Sequence, residues 1–114
     1  MTGTAERPAV LALVGPTAVG KSAVAEGLAS LWGAEIVSAD SMQVYRGMDV
    51  GTAKPRAPRA IPYHCIDLVD PGFPYSAALF QRDARSALDA ILDRGTLAIL
   101  CGGTGLYVRA ALDD

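Results

Sequence analysis

Residues 15–22 read Gly15-Pro16-Thr17-Ala18-Val19-Gly20-Lys21-Ser22, which matches the phosphate-binding loop pattern G-x-x-x-x-G-K-[ST]. Gly15 and Gly20 free the backbone to wrap its N–H groups around a polyanion, Lys21 adds a point charge, and the Ser22 hydroxyl suits a Mg²⁺ ion. The flanks agree. Val10-Leu11-Ala12-Leu13-Val14 is a short apolar run fit for a buried parallel strand, and residues 21–32 carry Val24, Leu28 and Leu31 at helical spacing. An anion in the loop would therefore meet a helix N-terminus, where unpaired N–H groups and the dipole both favour it. A plain glycine-rich turn between strand and helix would leave most of the string unexplained.

Outward from this loop, Glu35-Ile36-Val37-Ser38-Ala39 reads as a second short strand with Asp40 just past its end. A third strand is expected around Cys65-Ile66, within residues 62–69. A longer helix should run from Ser76 to about Arg94, with Leu79, Phe80, Ala84, Ala87, Leu88, Ile91 and Leu92 as its apolar stripe, Ser76 as N-cap and Gly95 as the C′ glycine. Residues 96–101 form another apolar strand, followed by Gly102-Gly103-Thr104-Gly105 and a last helix beginning near Gly105. Between them, residues 47–62 hold Lys54-Pro55-Arg56-Ala57-Pro58-Arg59, basic and proline-punctuated, and read as an extended surface loop.

Strands alternating with helices imply right-handed parallel βαβ units with helices on both faces. Together with the loop, they predict a P-loop NTPase-like three-layer α/β fold with a mainly parallel sheet. Ligands in such sheets gather beyond the carboxyl ends of the strands. The phosphate loop, the segment from Asp40 and the Gly102–Gly105 turn all fall at such ends and should converge on one cleft. Only three or four strands are visible, and the last helix has no stop signal. The expectation is that residues 1–114 are the N-terminal part of a larger transferase domain, incomplete at the C-terminus.

The chain of 114 residues suits one domain with a core. A net charge of −2 supplies no overall basic field to attract a nucleic acid, so any such contact would rest on a local patch. The two cysteines, Cys65 and Cys101, lack zinc-type spacing and read as reduced core residues. No apolar run reaches the length of a membrane span, and residues 1–7 lack the apolar centre of a signal peptide. A cytoplasmic location without membrane contact follows as the expectation.

Asp40 admits three readings: it could hold Mg²⁺ directly or through water, accept a proton from a nucleophile, or cap an Asx turn. The residues after it mix apolar, amide, aromatic and basic groups. Gln43 can present a donor and an acceptor together to a base edge, and Tyr45 or Met42 could pack on a splayed base. For Met42, Val44 and Met48 the favoured reading is simpler, as anchors of the loop on the core. His64, beside Tyr63, reads as a packed or surface histidine.

From Leu11 almost to its end the chain resembles the tRNA dimethylallyltransferases, also called tRNA isopentenyltransferases. The resemblance rests on residues 15–22, on Ser38-Ala39-Asp40-Ser41-Met42-Gln43-Val44-Tyr45-Arg46-Gly47, and on Asp49-Val50-Gly51-Thr52-Ala53-Lys54-Pro55. It continues through residues 67–71, Tyr75-Ser76 and Gly102-Gly103-Thr104-Gly105-Leu106-Tyr107, and looks like the first third of such an enzyme. The resemblance implies transfer of a dimethylallyl group from dimethylallyl diphosphate to N6 of an adenosine beside the tRNA anticodon. It implies that Gly15, Pro16, Thr17, Ala18, Val19, Gly20, Lys21 and Ser22 bind the diphosphate, with Ser22 on the cofactor Mg²⁺. Asp40 and Thr17 are the implied catalytic residues, and Asp40, Ser41, Met42, Gln43 and Thr104 the implied tRNA contacts. The full-length enzyme is expected to be monomeric.

An adenylate (cytokinin-type) isopentenyltransferase, a P-loop small-molecule kinase and a non-enzymatic nucleotide-binding module rank below this reading. Family members carry a further catalytic arginine, a helical insertion and much of their tRNA surface in later sequence. The 114 residues alone are therefore expected to retain at most phosphate binding, and detectable prenylation of tRNA by the purified chain would overturn that.

Overall fold

Four strands and three helices follow one another as β1 (Val10–Val14), α1 (Lys21–Trp32), β2 (Glu35–Ala39), β3 (Tyr63–His64), α2 (Ala77–Asp93), β4 (Ala98–Gly102) and α3 (Gly105–Leu112). The structure, a computed structural model, describes residues 10–15, 21–47, 60–102 and 105–112, except for the side chains of Ser22 and Leu106. The strands form one sheet in the order β1-β4-β2-β3, and every pairing is parallel. Successive residues of a strand face opposite sides of the sheet, and β2 and β4 use both sides for core. Ile36 and Ile99 pack with Ala25, Ala29 and Ala34 on the α1 face. Val37, Ala39, Ala98 and Leu100 pack on the other face with Phe80, Ala84, Leu88 and Ile91 of α2 and Tyr107, Val108 and Ala111 of α3. The three-layer parallel arrangement expected from the sequence is the one observed.

Helix α1 lies on the sheet by a different stripe from the one its large apolar residues suggest. Val24 is 54% and Leu31 75% exposed, whereas Ala25 and Ala29 are fully buried. Lys21, Ala25 and Ala29 recur every fourth residue and so share one helix face. Lys21 is itself buried because its ammonium donates to the Gly15 carbonyl at 2.8 Å. That bond sets the rotation of the helix, and the small alanines below it let α1 sit close on β2 and β4.

The third strand is also displaced. It occupies Tyr63–His64 and pairs with Ile36 and Val37, two residues before the expected Cys65-Ile66. Cys65 (φ 67°) and Asp67 (φ 57°) are in the left-handed region, which a strand cannot continue through. The chain turns there and returns to pairing only at the isolated bridge between Val69 and Tyr45. Most of the expected surface loop over residues 47–62 lies outside the described residues, as does Met48.

Helix α2 follows its sequence signals closely. The Ser76 hydroxyl accepts from the Leu79 N–H at 3.1 Å, satisfying one of the unpaired donors of the first turn. At the other end Gly95 has φ 74°, its N–H donates to Leu92 O at 2.9 Å, and the Thr96 N–H reaches Ile91 O at 3.2 Å. This pair of bonds is a Schellman cap, which glycine closes without steric cost. Among the described residues no helix is long and apolar enough to cross a membrane.

The amino ends of the strands are tied to the end of α2 by one carboxylate. Glu35 Oε1 accepts from Arg94 at 2.6 Å and from His64 Nε2–H at 2.7 Å, and the Glu35 side chain is only 13% exposed. Burial alone would raise this carboxyl, but hydrogen bonds and charge from His64 and Arg94 hold it below the usual 4.5. A carboxyl depressed in the folded state stabilises above its unfolded value and loses that contribution as pH falls below it. Glu35→Gln should therefore cost about 1 kcal/mol near neutral pH, and the gap from the parent should close well below pH 4.5. Urea unfolding of both proteins across that range measures the gap directly.

Candidate active site

Register brings the site together. Val14 of β1 and Ala39 of β2 both pair with Gly102 of β4, so three strands end on one line. Gly15 and Asp40 consequently leave the sheet on either side of the end of β4. The Gly15 N–H donates to Gly102 O at 3.1 Å, and Lys21 Nζ returns across the loop to Gly15 O at 2.8 Å. The strand ends from which the phosphate loop and the Asp40 segment depart are thus adjacent. Pro16, Thr17, Ala18, Val19, Gly20 and Thr104 lie outside the described residues, as does the side chain of Ser22.

Gly102 is needed for that alignment. A Cβ at this position would stand 2.8 Å from Ala39 O, 2.9 Å from Ala39 Cβ and 3.0 Å from Val108 Cγ2. The first two contacts are closer than real side chains approach, so β2 and α3 close on β4 only because residue 102 has no side chain.

Asp40 makes the turn it begins. Its Oδ1 accepts the Met42 N–H at 2.7 Å and the Gln43 N–H at 3.3 Å, an Asx-type cap. Among the described residues no donor reaches Oδ2. The capping role and a chemical role can therefore belong to different oxygens of one carboxylate. Ser41 and Met42 are exposed, Met42 by 43%, so the expected anchoring of Met42 on the core is not observed. Turning the chain at Asp40 sends position 42 outward and gives the anchoring to Val44, which is fully buried.

Gln43 is also buried, at 7% exposure, and its Oε1 accepts the Ser38 hydroxyl at 2.7 Å. Behind the turn, the Gln43 carbonyl accepts from Asp67 N–H at 3.0 Å and the Val44 carbonyl from Leu68 N–H at 2.7 Å. Arg46 continues this seam: its N–H donates to Val69 O at 2.8 Å and its guanidinium to Asp70 at 2.8 Å and Leu68 O at 3.1 Å. The Tyr45 hydroxyl donates to Phe73 O at 2.8 Å. Sequence reasoning did not foresee this brace, nor the part of Ser38. Its signal was a serine inside an otherwise apolar buried strand, which must find a hydrogen-bond partner.

Two neighbouring groups register the charges of the cleft. Burial pushes the Cys101 thiol up, the Lys21 ammonium opposes that shift, and Asp40 adds to it. Burial likewise raises the Tyr107 phenol, with Tyr45 and Asp40 contributing. Tyr107 is held behind the site by stacking on Phe80, with ring centroids 4.5 Å apart. Lys21 and Asp40 thus bear on one thiol with opposite sign. Cys65, by contrast, is buried and its thiol is pushed up to about 12 by burial and by Asp83, an inert core residue. His64 is a packed histidine, bonded to Glu35.

A family model described as IPP transferase matches residues 43–114. The chain belongs to the IPP transferase family. A second model, Isopentenyl transferase, matches residues 8–61. Among curated relatives, the tRNA dimethylallyltransferase of Xylella fastidiosa (strain M12) is 56% identical over 108 residues, which are 93% of this chain and 34% of that protein. The full-length tRNA isopentenylpyrophosphate transferase from Bacillus halodurans is a structural neighbour with a TM-score of 0.84 and 50% identity, matching 92% of this chain and 35% of its own. A eukaryotic dimethylallyltransferase acting on tRNA superposes with a TM-score of 0.84 at 32% identity, matching 90% of this chain and 26% of its own. The chain spans about a third of the length of the curated relatives it matches. The P-loop NTPase-like fold is that of these IPP transferase structures.

Gly102→Ala tests the alignment in this IPP transferase segment. Adding one methyl against a backbone carbonyl should cost about 1–3 kcal/mol in urea unfolding. An unchanged midpoint would mean that β2 and α3 do not depend on the missing side chain.

Proposed function

We propose that this chain forms the donor-binding and proton-accepting part of a tRNA dimethylallyltransferase. The reaction is transfer of a dimethylallyl group from dimethylallyl diphosphate to N6 of an adenosine beside the tRNA anticodon. The observation that carries the reading is the common end line of β1, β4 and β2, which brings the start of the phosphate loop and Asp40 to the same edge of the sheet. Relatives named for this activity at 52–56% identity supply the substrate class.

In the reaction the carbon–oxygen bond of the donor breaks, and negative charge grows on the departing diphosphate. Lys21, fixed over the loop by Gly15 O, faces that charge together with the N–H groups at the start of α1. Gly15, Pro16, Thr17, Ala18, Val19, Gly20 and Ser22 complete the diphosphate cradle, with Thr17 beside the leaving oxygen or the amine. The acceptor amine is a weak nucleophile whose proton becomes acidic only as its bond to the allylic carbon forms. Oδ2 of Asp40 takes that proton late in the step while Oδ1 stays bound to the turn. Ser41, Met42, Gln43 and Thr104 grip the target nucleotide.

Ser22 is the second residue of α1, and the donors it and a diphosphate would bring are hard oxygens. Mg²⁺ takes few protein ligands and favours phosphate and water oxygens, so these residues fit it, with Ser22 as the protein ligand. When bound, the ion adds positive charge against the leaving diphosphate.

Residues 1–114 joined to the later two thirds of the Bacillus halodurans relative provide the test. This chimera should prenylate unmodified tRNA and leave free AMP untouched. Asp40→Asn should lower turnover by about 10²–10⁴-fold with donor affinity kept. Lys21→Ala should weaken binding of a non-reactive donor analogue by about 10- to 100-fold. Phosphoryl transfer from ATP, or full turnover by Asp40→Asn, would refute the assignment.

A further inference from the structure

We infer that Ser38 is a positioning residue for the Asp40 carboxylate, acting through Gln43; for catalysis this rests on the proposed transferase reading. Ser38 and Gln43 are the buried uncharged polar side chains among the described residues, at 3% and 7% exposure, and the Ser38 hydroxyl donates to Gln43 Oε1 at 2.7 Å. A buried pair of this kind is costly to break, because either partner left alone has no water to replace the other.

Gln43 is the node at which three elements meet. Its N–H holds Asp40 Oδ1 at 3.3 Å, its carbonyl accepts from Asp67 N–H at 3.0 Å, and its side chain is fastened to β2 through Ser38. Ser38 pairs in register with Cys101, the residue that feels both Lys21 and Asp40. The hydroxyl is thus anchored on the sheet itself, one residue before the end of β2. A carboxylate held only by two turn N–H groups can follow any twist of that turn. Fixing Gln43 to the strand removes the twist, so Oδ2 keeps one direction relative to Lys21.

In this bond the Gln43 amide turns its oxygen toward β2.

Two measurements test the assignment. On the 114-residue chain, amide hydrogen exchange should be about tenfold faster at Met42 and Gln43 in Ser38→Ala, with α2 amides unchanged. Ser38→Thr, which keeps the hydroxyl, should restore protection. In the chimera, Ser38→Ala should lower kcat by about 10- to 100-fold at constant KM for dimethylallyl diphosphate, and Ser38→Thr should recover most of it. If Ser38→Ala folds poorly, the double variant Ser38→Ala/Gln43→Leu replaces the buried amide with an apolar side chain of similar size. It should regain global stability while the fast Met42 exchange persists. Unchanged exchange at Met42 and Gln43 in Ser38→Ala overturns the inference, whether or not the chimera is a transferase. A fall in kcat matched by a rise in donor KM overturns it as well, while an inactive parent chimera counts against the transferase reading alone.

Discussion

The close approach at Gly102 is the constraint on which the remaining geometry rests. With a hydrogen in place of a side chain, the Ala39 carbonyl and the Val108 methyl come within about a contact distance of the β4 backbone. Because Ala39 is the last residue of β2, its position decides where Asp40 leaves the sheet. Because Val108 belongs to α3, the same gap brings the helix that carries Tyr107 onto the sheet, where Tyr107 stacks on Phe80 in the core. Backbone packing at one residue therefore places a carboxylate on one side and an aromatic pair on the other.

A division of labour between charges follows. The cation is fixed by a carbonyl of its own loop, and the buried alanine stripe of α1 keeps the helix from rolling away. The anion is fixed by the N–H groups of the turn it starts. Neither depends on pairing with the other, so the two can face a ligand instead of neutralising each other. Of the readings of Asp40, the Asx turn is the one observed; it occupies Oδ1 alone, and the proposed proton-accepting role falls to Oδ2.

Local signals made much of this legible in advance. The apolar runs at 10–14 and 35–39, the Ser76 cap and the Gly95 stop lie where the sequence puts them, since each is decided by residues within a turn or a strand of itself. What escaped reading is decided at a distance. Val24 and Leu31 had the better periodicity, but the Lys21–Gly15 bond rotates α1 onto its alanines. Cys65 and Asp67 turn left-handed to meet the backbone of Gln43 and Val44, and no pattern within residues 62–69 announces that. The hydrogen bond between Gln43 and Ser38 joins a loop to a strand, and nothing in residues 40–47 announces it.

The same topology sets an order of assembly. Helix α2 carries both its caps within its own sequence and can form early, whereas β1 gains its sheet partner only when Val10 meets Ala98 near the far end of the chain. Closing so long a loop costs entropy before any contact returns it, which makes that pairing a late event in folding and an early loss in unfolding. The cleft exists only once β1 has docked, because Gly15 and Lys21 hang from its carboxyl end. Helical content is thus a poor witness to competence: α2 can be fully formed in a molecule whose phosphate loop has no sheet behind it.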